Sequence, residues 1–271
     1  MRFSIVVPIA TASEDVLDAQ TGMLSSLIQT TLDCTIDLVL LENFKPKNPG
    51  DGKYVHEFQK IVERYRSILN GRSSITYMNL KEPFNMNRFY NIGYKIVRDI
   101  AIPDYIIFCN SDLYFRAGWA AAVIAAFAEH SDAGSIIPAS SLQTYQFMMA
   151  TDRGQRSFEG FRVGKEREEL AEFTSVAGPG WMFCFEHDTW VEKLNPWPEE
   201  FRAWYQDWEI YERMKAKGLR SYATYAATVD HLEGVTFKNL RARDPQEFKT
   251  LTNDQKSVWD KRPPIEETNP Q

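Results

Sequence analysis

The sequence predicts an α/β fold: a mostly parallel central sheet flanked by helices, followed by a less regular C-terminal half. Two observations support this prediction. Short β-branched apolar runs alternate with amphipathic helical stretches over residues 1–115, and such alternation indicates a parallel sheet built from βαβ units. In addition, 44% of the residues are hydrophobic and 25% are charged, so a sizeable core can form. The 271 residues suit one large domain, or one domain with a small appendage.

Strands and helices alternate regularly through the first half. Residues 3–9, FSIVVPI, form a short β-branched run beside a proline, which indicates a buried strand. Stretches with apolar residues at helical spacing then alternate with further short apolar runs. We expect strands at 3–9, 36–41, 75–80 and 105–109, and helices at 13–32, 54–69 and through 90–97. Residues 45–53, KPKNPGDGK, indicate a turn-rich loop.

The second half is less regular. The Ala-rich residues 118–129 predict a helix, and residues 134–138 and 221–229 predict strands. Residues 152–169 are polar and dotted with glycine, which fits either a solvated loop and helix or a mobile lid over a cleft. The glycines of AGPGWMF, residues 177–183, either let the backbone approach a ligand closely or form a tight turn.

The charge balance and the cysteines disfavour several classes of protein. A net charge of −6 and a pI of about 5.4 leave no overall cationic field, which disfavours nucleic acid as a partner. The three cysteines lie far apart and form no CxxC pair, so neither a zinc site nor a disulfide framework is expected, and reduced thiols fit a cytoplasmic protein. We expect no signal peptide and no transmembrane segment, while peripheral association with a membrane stays open.

Polar residues follow two of the predicted strands, at the point where each strand ends. Glu42 and Asn43 follow the second strand, and Asn110, Ser111 and Asp112 follow the apolar run YIIFC. Ligand sites of parallel sheets form at the carboxyl ends of the strands. The sequence therefore predicts a site at this edge, and an ordinary turn is the alternative interpretation of the Asn-Ser-Asp triplet.

The segment WYQDWEIYERMKAKG, residues 204–218, carries a carboxylate at the predicted start of a helix. Free amides and the helix dipole favour the negative charge of Asp207 there. One interpretation makes Asp207 an N-cap and Glu209 a solvated side chain. The other leaves Asp207 to act as a general base.

The segment VDHLEG places His231 just after a predicted strand. A lone histidine there is usually structural. Together with Asp112 at another strand end, however, it offers a carboxylate and an imidazole, which suit Mn²⁺, while Mg²⁺ prefers oxygen ligands. Such an ion bridges a diphosphate, and this would leave Asp207 for proton transfer.

Taken together, these segments resemble the GT-A nucleotide-sugar glycosyltransferases, in particular the large inverting family 2. FSIVVPIA resembles the opening strand of that family, and IDLVLLEN resembles its second strand, whose terminal acid, here Glu42, holds the nucleoside. NRFYNIGYKIV resembles the ARNxGxxxA segment, with Asn91 and Gly93 in the matching places. IIFCNSDLYF resembles the hhhLDxDD strand, with Asn110 and Asp112 in the D-x-D places.

Two later segments extend the resemblance into the second half. QDWEIYERMKAKG resembles the EDxDLxxRxxxxG helix, with Asp207 at the catalytic aspartate and with Arg213 and Gly218 matching. VDHLEGVT resembles the late HxxGxS motif, with His231 as its histidine.

The resemblance implies a metal-dependent transferase that moves a sugar from a nucleotide-sugar donor to a hydroxyl of a glycan or other acceptor, with inversion. Asp207 would be the general base, and Asp112 and His231 would hold Mn²⁺ or Mg²⁺. The implied donor-binding residues are Pro8, Ile9, Glu42, Arg88, Asn91, Asn110, Ser111 and Asp112. The candidate acceptor-binding residues are Trp181, Trp204, Trp208 and Glu209. Core packing is the alternative for the tryptophans, and a surface position is the alternative for Arg88.

The sequence departs from the family pattern in three places. Asn110 replaces the first acid of D-x-D, and Gln206 replaces the Glu before the catalytic Asp. The Asn or Asp that follows the first strand is missing, so Thr11 or Ser13 would substitute. The first two departures keep open a catalytically degenerate protein that binds carbohydrate or a nucleotide sugar. A nucleotidyltransferase is less favoured, because PIATASED lacks the glycine-rich basic loop that holds a triphosphate.

We expect a single catalytic domain over residues 1–260. It comprises a nucleotide-binding half at 1–115, an acceptor and catalytic half at 116–240, and a C-terminal extension at 241–260. The tail at 261–271, KRPPIEETNPQ, is expected to be disordered.

Overall fold

A computed structural model describes most of the chain. It covers residues 1–31, 33–44, 52–69, 71, 73–139, 171–172, 180–232, 235, 238, 241 and 245–262. Most of the predicted loop at 45–53, the whole polar segment at 152–169 and nearly all of the predicted tail lie outside these residues.

The first half contains every strand and helix that the sequence predicts. The elements are β1 (Arg2–Ile9), α1 (Glu14–Thr30), β2 (Thr35–Glu42), α2 (Lys53–Ile68), β3 (Ser74–Asn79), α3 (Met86–Ile100) and β4 (Tyr105–Cys109). Two helix starts have side-chain caps. Ser13 Oγ accepts from the Val16 amide at 3.4 Å, and Asn85 Oδ1 accepts from the Arg88 amide at 3.0 Å.

The second half adds shorter elements and a long final helix. These are β5 (Leu113–Phe115), α4 (Trp119–Glu129), β6 (Ala133–Ala139), β7 (Ala171–Glu172), β8 (Met182–Glu186), α5 (His187–Thr189), a π-helical turn (Trp190–Leu194), α6 (Gln206–Ala216), β9 (Arg220–His231) and α7 (Pro245–Lys261). Helix α7 includes Lys261, so the predicted tail begins one residue inside a helix. The reason is that Trp259, near its end, packs against the rest of the protein.

The strands form one mixed sheet in the order β3-β2-β1-β4-β8-β6-β9-β5, with β7 paired to β9. Strands β1 to β4 pair in parallel, whereas β8 is antiparallel to both β4 and β6. Strand β9 is parallel to β6 and antiparallel to β5. The longest pairings are thus parallel, and the predicted α/β class is confirmed. The carboxyl ends of β1, β2 and β4 meet at one edge.

Aromatic rings account for much of the core. Phe108 of β4 lies 5.0 Å from Tyr90, 4.8 Å from Trp190 and 5.4 Å from Trp197, between ring centroids. All four rings are buried, so part of the high aromatic content serves packing. None of the helices that the structure describes combines the length and the apolar character that a membrane span requires.

The packing of α3 on β1 requires a glycine at position 93. A Cβ built there would lie 2.2 Å from Val6 Cγ1, far inside van der Waals contact. By contrast, a Cβ at Gly22 in α1 would have no non-neighbouring atom closer than 3.9 Å. Position 22 therefore has room for a Cβ atom, whereas position 93 has none unless α3 and β1 move apart.

We expect Gly93→Ala to lower the free energy of unfolding by about 1–3 kcal/mol, because α3 must move away from β1. The matched control Gly22→Ala should raise it by about 0.5–1 kcal/mol, because alanine is the better helix former. Urea denaturation of both variants tests this, and equal effects of the two substitutions would contradict the close contact at Gly93.

Candidate active site

Asp112 and His231 meet at the carboxyl edge of the sheet. The antiparallel pairing of β5 with β9 places Leu113 opposite His231. As a result, Asp112 Oδ1 lies 3.2 Å from His231 Nε2, and the Val235 amide donates to Asp112 Oδ2 at 3.3 Å. Burial acts to raise the pKa of Asp112, but the hydrogen bond and charge of His231 and the Val235 amide outweigh it and lower the pKa below its ordinary value. Asp112 is therefore held as a carboxylate.

Asn110 and Trp181 flank this pair. The Asn110 amide donates to the Trp181 carbonyl at 2.8 Å, and Asn110 Nδ2 lies 3.5 Å from His231 Nε2. The Trp181 ring lies 5.5 Å from the imidazole ring. Among the described residues, the buried atoms Asn110 Oδ1 and Trp181 Nε1 have no hydrogen-bond partner. Such atoms are costly to bury, and here they adjoin candidate ligand-binding groups. Ser111 is also buried, between Asn110 and Asp112.

Asp207 lies in the first turn of α6, as the sequence predicts. Its Oδ1 accepts from the Trp208 amide at 3.0 Å. A Cβ built on Gly180 would lie 3.0 Å from Asp207 Oδ2, so the backbone just before Trp181 presses against this carboxylate. The close backbone approach predicted for residues 177–183 thus occurs at Gly180, and the group approached is the Asp207 side chain.

Tyr90 is a residue that the sequence analysis missed. It is fully buried, and burial raises the pKa of its hydroxyl well above the ordinary value, with further contributions from the charges of Cys109, Asp112 and Asp207. Both candidate acids therefore lie within electrostatic reach of one phenol. The family resemblance could have drawn attention to Tyr90. This residue directly precedes Asn91 and so occupies the position of the arginine in the ARNxGxxxA pattern.

The residues at this edge fit a divalent cation in part. Asp112 supplies a carboxylate, and the adjacent His231 supplies an imidazole once its Nε2 is unprotonated. The described residues contain no group of three or more His, Cys, Asp or Glu side chains arranged for a metal.

Glu42 lies at the same edge but points into the protein. It is 0% exposed, and its carboxylate accepts from the Thr11 amide at 3.1 Å, the Thr11 hydroxyl at 2.6 Å and the Asn43 amide at 3.2 Å. Burial raises the pKa of Glu42 despite these hydrogen bonds. Glu42 therefore fixes the turn after β1, where Pro8 and Ile9 are themselves buried strand residues.

The hydroxyl of Thr11 links Glu42 to Gln20. It lies 2.7 Å from Gln20 Oε1, while Gln20 Nε2 has no partner among the described residues. One hydroxyl carries only one proton. Turning the Gln20 amide so that Nε2 donates to the Thr11 hydroxyl leaves the single hydroxyl proton for the hydrogen bond to Glu42.

Arg88 and Asn91 contact one loop on the other side of α3. Arg88 is exposed and pairs with Glu82 at 2.7 Å and with Glu199 at 3.4 Å. Asn91 Nδ2 donates to the Trp197 carbonyl at 2.8 Å, and the Trp197 amide donates to Asn91 Oδ1 at 2.9 Å. Both side chains thus hold the segment that follows the π-helical turn.

The remaining candidates are also engaged with protein groups. Trp204 packs edge-on against Phe248 of α7 at 5.5 Å, and Trp208 packs against Trp259 at 5.4 Å. Glu209 is buried and pairs with Arg213 at 2.6 Å. Burial raises the pKa of Glu209, which Arg213 partly offsets. The structure thus brings together Asn110, Ser111, Asp112, Trp181 and His231, with Asp207 against the backbone at Gly180. The side chains of the other candidates contact other protein groups.

No protein-family model and no curated protein matches the sequence. Solved structures do match. The crystal structure of GalNAc-T7 with UDP, GalNAc and Mn²⁺ has a TM-score of 0.58 at 14% sequence identity, over 86% of this chain and 45% of that chain. S. aureus TarS 1-349 has a TM-score of 0.57 at 14% identity, over 94% of this chain and 65% of that chain. The same protein in complex with UDP-GlcNAc has a TM-score of 0.58 at 15% identity, over 93% and 64%.

This likeness establishes the class of fold. The chain has the GT-A fold, a mixed α/β architecture with a mostly parallel sheet flanked by helices. It spans 45% to 65% of the length of these matched structures. Membership of the inverting family 2 stays a prediction.

We expect the buried Glu42 carboxyl group to make the free energy of unfolding depend on pH. Its pKa is raised in the folded state, so the unfolded chain loses the proton first as pH rises. The stability of the wild type relative to Glu42→Gln should therefore fall as pH rises above about 4.3, by about 1.4 kcal/mol per unit of raised pKa, and then level off.

Urea denaturation of both proteins between roughly pH 4 and 8 measures this difference. Glu129→Gln, at an exposed position in α4, controls for the loss of one carboxyl group from the total charge. A difference that rises with pH would show that the hydrogen bonds from Thr11 and Asn43 outweigh burial.

Proposed function

We propose that the protein is a nucleotide-sugar-dependent glycosyltransferase. The observation that carries this proposal is the meeting of Asp112 and His231, 3.2 Å apart, at the carboxyl edge of a GT-A sheet. Asp207 stands nearby, against the backbone that leads into Trp181. Matched structures of this fold contain UDP with GalNAc and Mn²⁺, or UDP-GlcNAc. The donor we propose is therefore a nucleotide sugar, and a UDP-sugar is the first to test.

In this mechanism, Asp207 is the general base. Its carboxylate would take the proton from an acceptor hydroxyl as that oxygen attacks the anomeric carbon, and the bond to the leaving diphosphate breaks on the opposite face. Attack from the opposite face gives inversion. The Trp208 amide at the start of α6 stabilises the ionised form of Asp207, which is the form a base requires.

Asp112 and His231 are the residues that would hold Mn²⁺ or Mg²⁺. A bound ion would neutralise the negative charge that builds on the departing diphosphate. The Val235 amide, which donates to Asp112 Oδ2, favours the ionised carboxylate that a cation would require. Asn110 occupies the place of the first acid of the D-x-D motif. Its amide is neutral, so the site would carry one negative charge fewer than a site with both acids.

The donor and acceptor surfaces follow from the positions of the other side chains. Glu42 would shape the donor cleft indirectly, by fixing the turn at Thr11. Arg88 and Asn91 would also act indirectly, by holding the loop at 197–199. Trp181, beside His231, is the tryptophan best placed to touch a ligand. The acceptor is a hydroxyl-bearing compound such as a glycan, and we propose a cytoplasmic location with peripheral membrane contact left open.

A degenerate sugar-binding protein is the second candidate function. It is favoured by Asn110 and by Gln206, whose side chain is buried and donates to Met86 Sδ at 3.4 Å rather than facing Asp207. The retention of Asp112, Asp207 and His231 favours the enzyme. The nucleotidyltransferase is less favoured, because the turn after β1 is held by Glu42 and carries no glycine.

We expect one class of nucleotide sugar to raise the melting temperature, and Mn²⁺ to enlarge the shift. The test compounds are UDP-GlcNAc, UDP-GalNAc, GDP-mannose, CMP-N-acetylneuraminate and dTDP-rhamnose, each with and without MnCl₂. A ligand at 100 times its Kd adds about 2.7 kcal/mol, which is roughly 5–10 °C for a chain of this size. No shift with any compound would sink the proposed donor site.

We expect Asn substitutions at Asp207 and at Asp112 to have different effects, because the two carboxylates have different proposed roles. Asp207→Asn should lower the release of nucleotide from the donor by roughly 10²–10⁴-fold, because the base is lost, and should leave the donor-induced shift intact. Asp112→Asn should abolish the part of the shift that depends on Mn²⁺. Wild-type turnover by Asp207→Asn would show that another residue is the base.

A further inference from the structure

Helix α7 contacts α6 near its own C-terminal end, although the sequence analysis treats it only as a C-terminal extension. The guanidinium of Arg262, just after α7, pairs with Glu212 of α6. The same guanidinium lies 3.7 Å from the centre of the Trp259 ring. Both the end of α7 and its aromatic face therefore contact the helix that carries Asp207.

Gln255 connects α7 to the turn that precedes Asp207. It is only 1% exposed. Its Oε1 accepts from the Arg202 amide and, at 3.2 Å, from the Ala203 amide, while its Nε2 donates to the Glu200 carbonyl at 3.1 Å. One side chain thus satisfies three backbone groups of a single turn, which requires a group that can both donate and accept.

The residues on either side of Asp207 also rest on α7. Tyr205 has φ of 67°, in the left-handed region that a non-glycine residue adopts only when its surroundings hold it there. Its ring stacks on Trp259 at 5.3 Å with 16° between the planes. Trp208 meets the same Trp259 ring edge-on at 5.4 Å. Trp259 therefore packs against residues on both sides of Asp207 in the chain.

The opposite side of this turn is held by the start of α3. The Met86 amide donates to the Arg202 carbonyl at 2.6 Å, and the Arg202 guanidinium donates to the Phe84 carbonyl at 3.1 Å. The turn at 200–205 is thus fixed between α3 and α7.

We propose that α7 positions Asp207 and that Gln255 is the positioning residue through which it acts. The inference rests on the proposed function, because it concerns the residue assigned as the base. Gln255 touches no reacting atom; it sets the course of the backbone that enters α6. The C-terminal helix is then part of the working site, and a displacement of about 1 Å at Asp207 can cost a hundredfold in rate.

The test compares Gln255→Leu with Gln255→Glu in the full chain. Leucine keeps the approximate volume and leaves three backbone groups of the turn without partners, whereas glutamate keeps the two acceptor contacts. With the nucleotide sugar that gives the largest shift in the screen above, Gln255→Leu should lower kcat by roughly tenfold to a hundredfold. The KM for the donor should stay at the wild-type value, and Gln255→Glu should restore part of kcat.

Two control variants separate positioning from general loss of stability. Asp254→Ala changes the neighbouring exposed side chain on α7 and should leave kcat unchanged. Val62→Ala removes packing in the core of α2 and should lower the melting temperature without changing kcat at a temperature where the protein stays folded. A fall in kcat for Val62→Ala equal to that for Gln255→Leu would overturn the proposal.

Hydrogen exchange gives a readout that does not depend on activity. In Gln255→Leu, the amides of residues 200–210 should exchange faster while those of β1 and β4 keep their protection. Unchanged exchange at 200–210 would overturn the role of Gln255 whatever the rate, as would faster exchange with wild-type kcat. A wild type that neither binds nor turns over any of the nucleotide sugars would overturn the proposed function, and with it the assignment of Asp207 as a base to be positioned.

Discussion

The whole site depends on a change of strand direction directly after β4. The parallel strands deliver Asn110 and Asp112 to one edge of the sheet, but parallel pairing alone brings no residue from the end of the chain to meet them. The antiparallel pairing of β5 with β9 does so, because it places Leu113 opposite His231. The contact of 3.2 Å between Asp112 and His231 follows from this register.

Buried polar atoms without hydrogen-bond partners among the described residues occur both in the core, at the indole nitrogens of Trp190 and Trp197, and at this edge. Asn110 Oδ1 and Trp181 Nε1 are buried without hydrogen-bond partners among the described residues, and each such atom costs about 1–3 kcal/mol. Both belong to residues that contact His231. What distinguishes the atoms at this edge is their position next to the carboxylate of Asp112 and the imidazole of His231.

Much of the fold, and several residues of the candidate site, could be predicted from local pattern. The burial of β1 and β4 follows from continuous apolar runs, and the helices follow from apolar spacing. Asp112, Asp207 and His231 could be singled out because each stands where a strand ends or a helix begins. The roles of Glu42, Arg88, Trp204 and Trp208 could not be predicted in this way, because the spacing of a residue along its own element does not reveal which distant group its side chain meets.

The sequence by itself determined the order of strands and helices and the edge at which the site lies, since both follow from periodicities of a few residues. Only the tertiary structure decided that Glu42 turns inward to Thr11, 31 residues away. It likewise decided that Gln255 holds a turn more than 50 residues earlier in the chain, next to Asp207. The physical reason is that burial and hydrogen-bond partners are set by packing between segments that are far apart in sequence, which no local pattern encodes.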